Sequence, residues 1–217
     1  MMRVAGVAAG LLLATSTRSA LGSDAVAAGP GAPEVLSLGV RAGPQSIFLE
    51  GDGAQSDLRG YVAGVDGTLR ISWYLSIAGA VEGSLFDGRS DRLEPGPAAT
   101  SLGVFTELRI DTNPDGPWSA RVDVGPGYRW LWLPLASGPT DVYSGLEPLR
   151  LRAGPAYRVG GIQLTVALGV GFGLFLSRPG DHSCAVTGTC EDSLLDSDTA
   201  SPVHFVADLT VAVRGWP

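Results

Sequence analysis

The chain has 217 residues, of which 45% are hydrophobic and 17% charged, with 31 glycines and a net charge of -7. That length suits one undivided all-β domain and leaves no room for a second catalytic module, while the glycine load disfavours long helices. All 15 basic residues are arginine, and so acidic a balance excludes a basic nucleic-acid surface.

The N-terminus sets Arg3 before an apolar run from Val4 to Ala14 and then small residues. This is the form of a secretory signal, and the run is too short to cross a bilayer as a helix. A signal peptide is expected over residues 1–27, cleaved somewhere between 22 and 27. Residues 28–34 read as a linker rich in Gly, Pro and Ala, and residues 35–217 as the folded domain.

Within that domain, alternation with a period of two recurs, which is the signature of strands whose faces see different surroundings. VLSLGVRAG is a weak first strand, with Leu36, Leu38 and Val40 opposite Arg41. In the second, Tyr61, Ala63, Val65, Leu69 and Ile71 oppose Asp66, Thr68 and Arg70; in the third, Leu75, Ile77, Val81 and Leu85 oppose Ser76, Glu82 and Ser84. The fourth sets Leu102, Val104, Leu108 and Ile110 against Glu107 and Arg109, with Phe105 an exception on the polar side. RVDVGPGYRWLW, the fifth, places Val122, Val124, Pro126, Tyr128, Trp130 and Trp132 opposite Arg121, Asp123, Gly125, Gly127, Arg129 and Leu131. The sixth opposes Leu149, Leu151, Ala153 and Tyr157 to Arg150 and Arg152. The seventh runs from Ile162 to Leu176 with Gln163, Thr165 and glycines on its other face, and the eighth sets Val203, Phe205, Leu209, Val211 and Val213 against His204, Asp208, Thr210 and Arg214.

Connections alternate in length. Residues 71–74, 112–117 and 158–161 are short enough for hairpin turns, whereas 50–59, 87–100, 133–142 and 178–202 are longer, polar and rich in Gly, Pro and Asp. GPGYR at 125–129 and GPAYR at 154–158 read as bulges or bends, because proline forfeits a ladder donor.

Aromatic residues gather at two levels. Trp73, Tyr74, Trp118, Tyr157 and Trp216 fall at the short-turn ends of the strands, and Tyr61, Trp130, Trp132 and Tyr143 toward the long-loop ends. Two such girdles around a band of Val, Leu, Ile and Ala fit a bilayer, since amphipathic rings favour the interface. A soluble barrel binding an apolar ligand would put the apolar face inside instead. The expected fold is therefore an all-β, eight-stranded antiparallel up-and-down transmembrane barrel, with short periplasmic turns and longer extracellular loops. Its narrow lumen would be packed with a polar network of Arg70, Glu82, Glu107, Arg109, Arg121, Asp123, Arg129, Arg150, Arg152, Asp208 and Arg214, with Asp66 a further acid. Across the 112–117 turn, Arg121 would meet Glu107 or Asp111, depending on register.

The pattern over Val35 to Pro217 resembles the small eight-stranded outer-membrane barrels, the OmpA-type, OmpX-type and opacity-protein-like superfamily. The resemblance implies a bacterial outer-membrane location, contact with outer-membrane lipid and lipopolysaccharide, and insertion by the barrel-assembly machinery. Members commonly end their last strand on an aromatic residue; here Trp216 is penultimate and Pro217 follows it.

Three function classes are weighed: a non-catalytic structural or surface-interaction barrel, monomeric and able to meet an extracellular macromolecule through its loops; a small pore; and an outer-membrane lipid hydrolase or acyltransferase. Only His182 and His204 could serve as a histidine base, and neither stands two residues before a serine as such enzymes require. The first class is favoured, with no catalytic residue and no cofactor. Cys184 and Cys190 are expected to close a local disulfide in the exported chain. The neighbouring acids, Asp181, Glu191, Asp192, Asp196 and Asp198, lack the ordered spacing of a calcium loop and imply no metal.

Overall fold

A computed structural model describes residues 36–51, 54–89, 99–114, 116–134, 140–177 and 203–215. The signal peptide and linker, the cysteine pair, His182, the acidic segment around it and Trp216 lie outside the described residues. Eight strands run in chain order: β1 (Leu36–Gly51), β2 (Ala54–Arg70), β3 (Leu75–Arg89), β4 (Ala99–Asp111), β5 (Trp118–Pro134), β6 (Thr140–Val159), β7 (Ile162–Ser177) and β8 (Val203–Gly215). Each pairs antiparallel with its neighbours, and β1 pairs with β8, so the sheet closes into a barrel with no free edge. Closure leaves no sheet edge exposed, a condition for a strand protein to sit in hydrocarbon.

The period of two sorts side chains to opposite sides of that wall. Burial alternates residue by residue along β4 and β8. Large apolar groups lie on the exposed side, among them Leu38, Val65, Val81, Val104, Leu168, Val170 and Val211. Arg109, Arg129, Arg150 and Glu82 are instead among the largest fully buried side chains. The distribution is the inverse of a water-soluble barrel.

Three turns at one end are tight. The β6–β7 hairpin closes on the Val159–Ile162 pair, and Gly160 adopts a φ of 57°, a left-handed conformation that side chains with a Cβ disfavour. At the opposite end, the segment 50–59 corrects the expectation of a long loop. β1 and β2 stay paired through Gly51↔Ala54, so they form one extended hairpin.

The paired prolines also need correction. The register shift in the β5–β6 ladder lies opposite Gly125–Gly127, but the extra residue belongs to β6: Gly125 faces Arg150 while Gly127 faces Glu147. Pro148 and Leu149 both point outward there. GPAYR is not a bulge, because Ala153↔Leu168 and Ala156↔Thr165 keep the same spacing.

The β1–β8 seam has its own irregularity. Pairing lapses at Gly43 and Pro44, between Ala42↔Val211 and Gln45↔Asp208. A Cβ on Gly43 would lie 1.9 Å from the Leu209 carbonyl oxygen, so the two backbones approach at a distance only glycine allows.

Candidate functional site: a charged lumen beneath an apolar cap

Seven strands send charged groups inward, and the arrangement follows from their register. Asp111 pairs with Arg121 across the β4–β5 hairpin. The Arg121 guanidinium grips that carboxylate with Nε at 3.1 Å and Nη2 at 3.3 Å, and also donates to Thr165 and Gln163. Arg109 opposes Asp123 and holds it bidentately at 2.7 and 3.1 Å, while its Nη1 donates to Asp66 and Thr68. Planar forks of this kind suit arginine and not lysine.

At mid-barrel, Glu82 meets three guanidiniums: Arg41 at 2.8 Å, Arg150 at 2.6 Å, and Arg152. Glu107 accepts from Arg41 and from Arg152 at 3.0 Å, and Asp208 accepts from Arg150 at 2.8 Å and Arg152 at 3.2 Å. Nearer the long-loop end, Arg129 donates to Glu147 and to Ser101. The Nε2 of His204 lies 3.3 Å from the same Glu147. With Arg109 3.7 Å from Glu107 and Arg150 3.9 Å from Glu147, these ion pairs join into one lattice that runs from Arg214, which donates to Asp66, to His204, and its charged members come from every strand except β7.

That exception has a reason. Strand β7 presents Gly169, Gly171 and Gly173 to the lumen, and a Cβ on Gly169 would sit 2.5 Å from Asp208 Oδ1, or on Gly173 2.2 Å from His204 Cε1. The bare backbone is the wall against which the β8 side chains lie. A similar bed holds Phe105, the apolar exception on the polar face of β4. It rests on Gly103 and Gly127, with the Arg150 guanidinium 4.3 Å and that of Arg129 5.6 Å from its ring centroid, within range of a cation–π contact.

Toward the long loops the lumen changes character. Ile47, Leu49, Leu58, Phe86, Leu131, Leu133, Tyr143, Phe175 and Val206 form a buried apolar cluster. Phe175 stacks on His204 at 4.3 Å between centroids. Below this cap the lattice fills the bore, and a cavity of about 20 Å³ remains at the short-turn mouth, room for roughly one or two waters.

The structure brings Glu82, Glu107, Arg109, Arg121, Asp123, Arg129, Arg150, Arg152, Asp208 and Arg214 together in the lumen. Arg70 departs from the expectation: it is half-buried at the short-turn mouth and meets no carboxylate among the described residues. Arg41, on the polar face of the first strand, and Glu147, which the strand pattern did not single out, are further members. Tyr143 is corrected outright, since it is 1% exposed and packs on Phe175 inside the cap and not in a girdle. Of the other aromatic residues, Tyr61, Trp73, Tyr74 and Trp118 stand exposed, Trp118 packs on Tyr157 at 4.6 Å, and Trp130 and Trp132 are half-buried on the outer face.

The glycine bed gives a sharp test. Gly127→Ala would put a Cβ 2.1 Å from Phe105 Cδ1 and 2.8 Å from the Val104 carbonyl oxygen, and overpacking of this kind costs roughly 1–3 kcal/mol. Urea unfolding of the refolded barrel should show that loss. The loss should shrink in a Phe105→Leu background, and strict additivity would contradict the contact.

No family model matches the chain, and no curated protein does. Among solved structures, the barrel is similar to Neisserial surface protein A, with a TM-score of 0.54 and 12% identity over 87% of this chain and 100% of that one. It also matches the attachment invasion locus protein Ail of Yersinia pestis, with a TM-score of 0.44 and 12% identity over 82% of this chain and 97% of that one. A major outer membrane protein of Thermus thermophilus gives a TM-score of 0.43 and 14% identity over 83% and 98%. The fold is that of the small eight-stranded outer-membrane barrels.

Proposed function

We propose that the chain is a non-catalytic barrel of the bacterial outer membrane, exported through its N-terminal signal, whose role is structural or one of surface interaction. The carrying observation is the inverted wall, apolar outward and ionic inward. Outward Val, Leu and Ile are stable in lipid, and a lattice of buried charges is stable only where its members pair. Outer-membrane lipid and lipopolysaccharide are its surroundings and the barrel-assembly machinery its route in. The long-loop end is where an extracellular macromolecule would dock. The same reading has the barrel act as a monomer.

The filled bore speaks against conduction. Side chains occupy the lumen from the Arg121–Asp111 pair to the apolar cap, and a barrel of eight strands is only wide enough to be filled in this way. Lipid hydrolysis through His204 is disfavoured as well, since that side chain is 0% exposed and enclosed by Glu147 and Phe175. A lipid ester outside the wall has no approach to it.

The test is migration on cold SDS gels. Detergent-refolded protein is expected to run at different positions before and after boiling, to be recovered with outer membranes, and to leave a planar bilayer silent. Folding without detergent into a soluble periplasmic form would overturn the membrane reading, and steady unitary currents would overturn the closed lumen.

A further inference from the structure

The short-turn mouth differs in charge from the lattice above it. Its cavity is lined by four arginines, Arg70, Arg109, Arg121 and Arg214, against one carboxylate, Asp111. That carboxylate is already held bidentately by Arg121, and Arg109 is committed to Asp123. The other acid paired with these arginines, Asp66, is shared, because its Oδ1 accepts from both Arg109 and Arg214. Guanidinium donors are thus left over. Arg214, with a side chain 3% exposed, keeps its Nε without a partner, and Arg70 meets no acid among the described residues. A buried donor without an acceptor costs free energy, which a ligand that supplies the acceptor returns as affinity.

We propose that the short-turn mouth binds one oxyanion group, a phosphate or carboxylate, between Arg70 and Arg214 with the hydroxyls of Ser37 and Ser76 as further donors. Arginine forks match the paired oxygens of such a group. The cavity of about 20 Å³ has room for roughly two oxygens of the group, so the rest of it and of any larger ligand lies outside the mouth. Two sources share this chemistry, a free phosphate compound and the headgroup of a lipid in the adjacent leaflet. Arg70 makes the selective test possible, since replacing it removes no partner from the ionic lattice.

The experiment is calorimetric titration of the full chain, folded in uncharged detergent, with inorganic phosphate against sodium chloride at matched ionic strength. Saturable binding of phosphate above chloride is expected, about tenfold weaker in Arg70→Gln, the loss of one charge-assisted contact. It should be unchanged in Arg59→Gln, whose side chain pairs with Asp57 at the opposite end of the barrel. If Arg70→Gln loses its heat-modified band, Arg70→Lys replaces it in the comparison, and weaker phosphate binding is again expected. Repeating the titration in phosphatidylglycerol vesicles and in vesicles of an uncharged glycolipid separates the sources: phosphate excluded only by the first identifies the headgroup, and phosphate bound equally in both identifies the free compound. No saturable heat, or equal affinity for chloride and phosphate, or equal phosphate affinity in the wild type and the folded Arg70 variant, overturns the proposal.

Discussion

Glu82→Ala is expected to be the most damaging single substitution in the lumen, lowering stability by about 3–5 kcal/mol, the range seen when one member of a buried ion pair is removed. Glu82 is fully buried and touches Arg41, Arg150 and Arg152. Its loss leaves three guanidiniums facing one another with Glu107, Asp208 and, 3.9 Å from Arg150, Glu147 still present. Water admitted to the new cavity would offset part of the repulsion but not restore the pairing. The midpoint of urea unfolding, followed by the loss of the unboiled band, reads the effect directly. Glu82→Gln should fall between the two, since the amide keeps the volume and one acceptor but not the charge. A loss below about 1 kcal/mol for the alanine variant, the scale of an exposed pair, would mean that Glu82 is hydrated and that the lattice is not closed.

The second large effect belongs to the outer face. Leu168 lies at mid-strand on β7, 69% exposed, beside Leu209 and Ala153 on the flanking strands. Leu168→Arg in lipid vesicles is expected to cost about 2–4 kcal/mol, the penalty for a charge at the bilayer midplane. The same substitution at Leu176, near the long-loop end of the strand, should cost about 0–1 kcal/mol because the side chain can reach the interface. This depth gradient separates a lipid wall from a water-facing one. In water, an exposed leucine replaced by arginine changes little at either position, so equal and small effects would sink the transmembrane assignment.

Most of the wall was legible because one face of each strand is ionic. Where Arg or Glu alternates with Val or Leu, as in β4 and β5, a period of two declares the inward face without ambiguity. Alternation loses that power where both faces are apolar. Leu131 and Leu133 point inward beside the outward Trp130 and Trp132, so nothing in their spacing marks a cap. The β6 bulge hid two further residues. Before it, odd-numbered positions such as Tyr143 and Glu147 face the lumen; after it, even-numbered ones such as Arg150 and Arg152 do. Extending the parity of the arginines backward places Tyr143 and Glu147 outside, and only Pro148 signals that the phase changes. The first hairpin was obscured in another way, since its long-loop end is polar and rich in glycine, yet backbone pairing alone extends it through Gly51↔Ala54. Asp111 could be anticipated, because the 112–117 turn limits the registers that bring an acid opposite Arg121.

The seam between β1 and β8 sets the order in which this barrel can assemble. Seven of the eight strand contacts join consecutive segments, and each can zip from its own connection at little cost in chain entropy. The eighth joins the two ends of the domain, and its ladder lapses at Gly43 and Pro44. Contacts so distant along the chain form only after the intervening loop has been closed. The wall is therefore a curled open sheet until its last step. Arg214 on β8 reaches Asp66 on β2 only when that step is complete, so this ion pair serves as the latch that makes closure cooperative, whereas Asp208 already faces Arg152 across Gly169 in the open sheet.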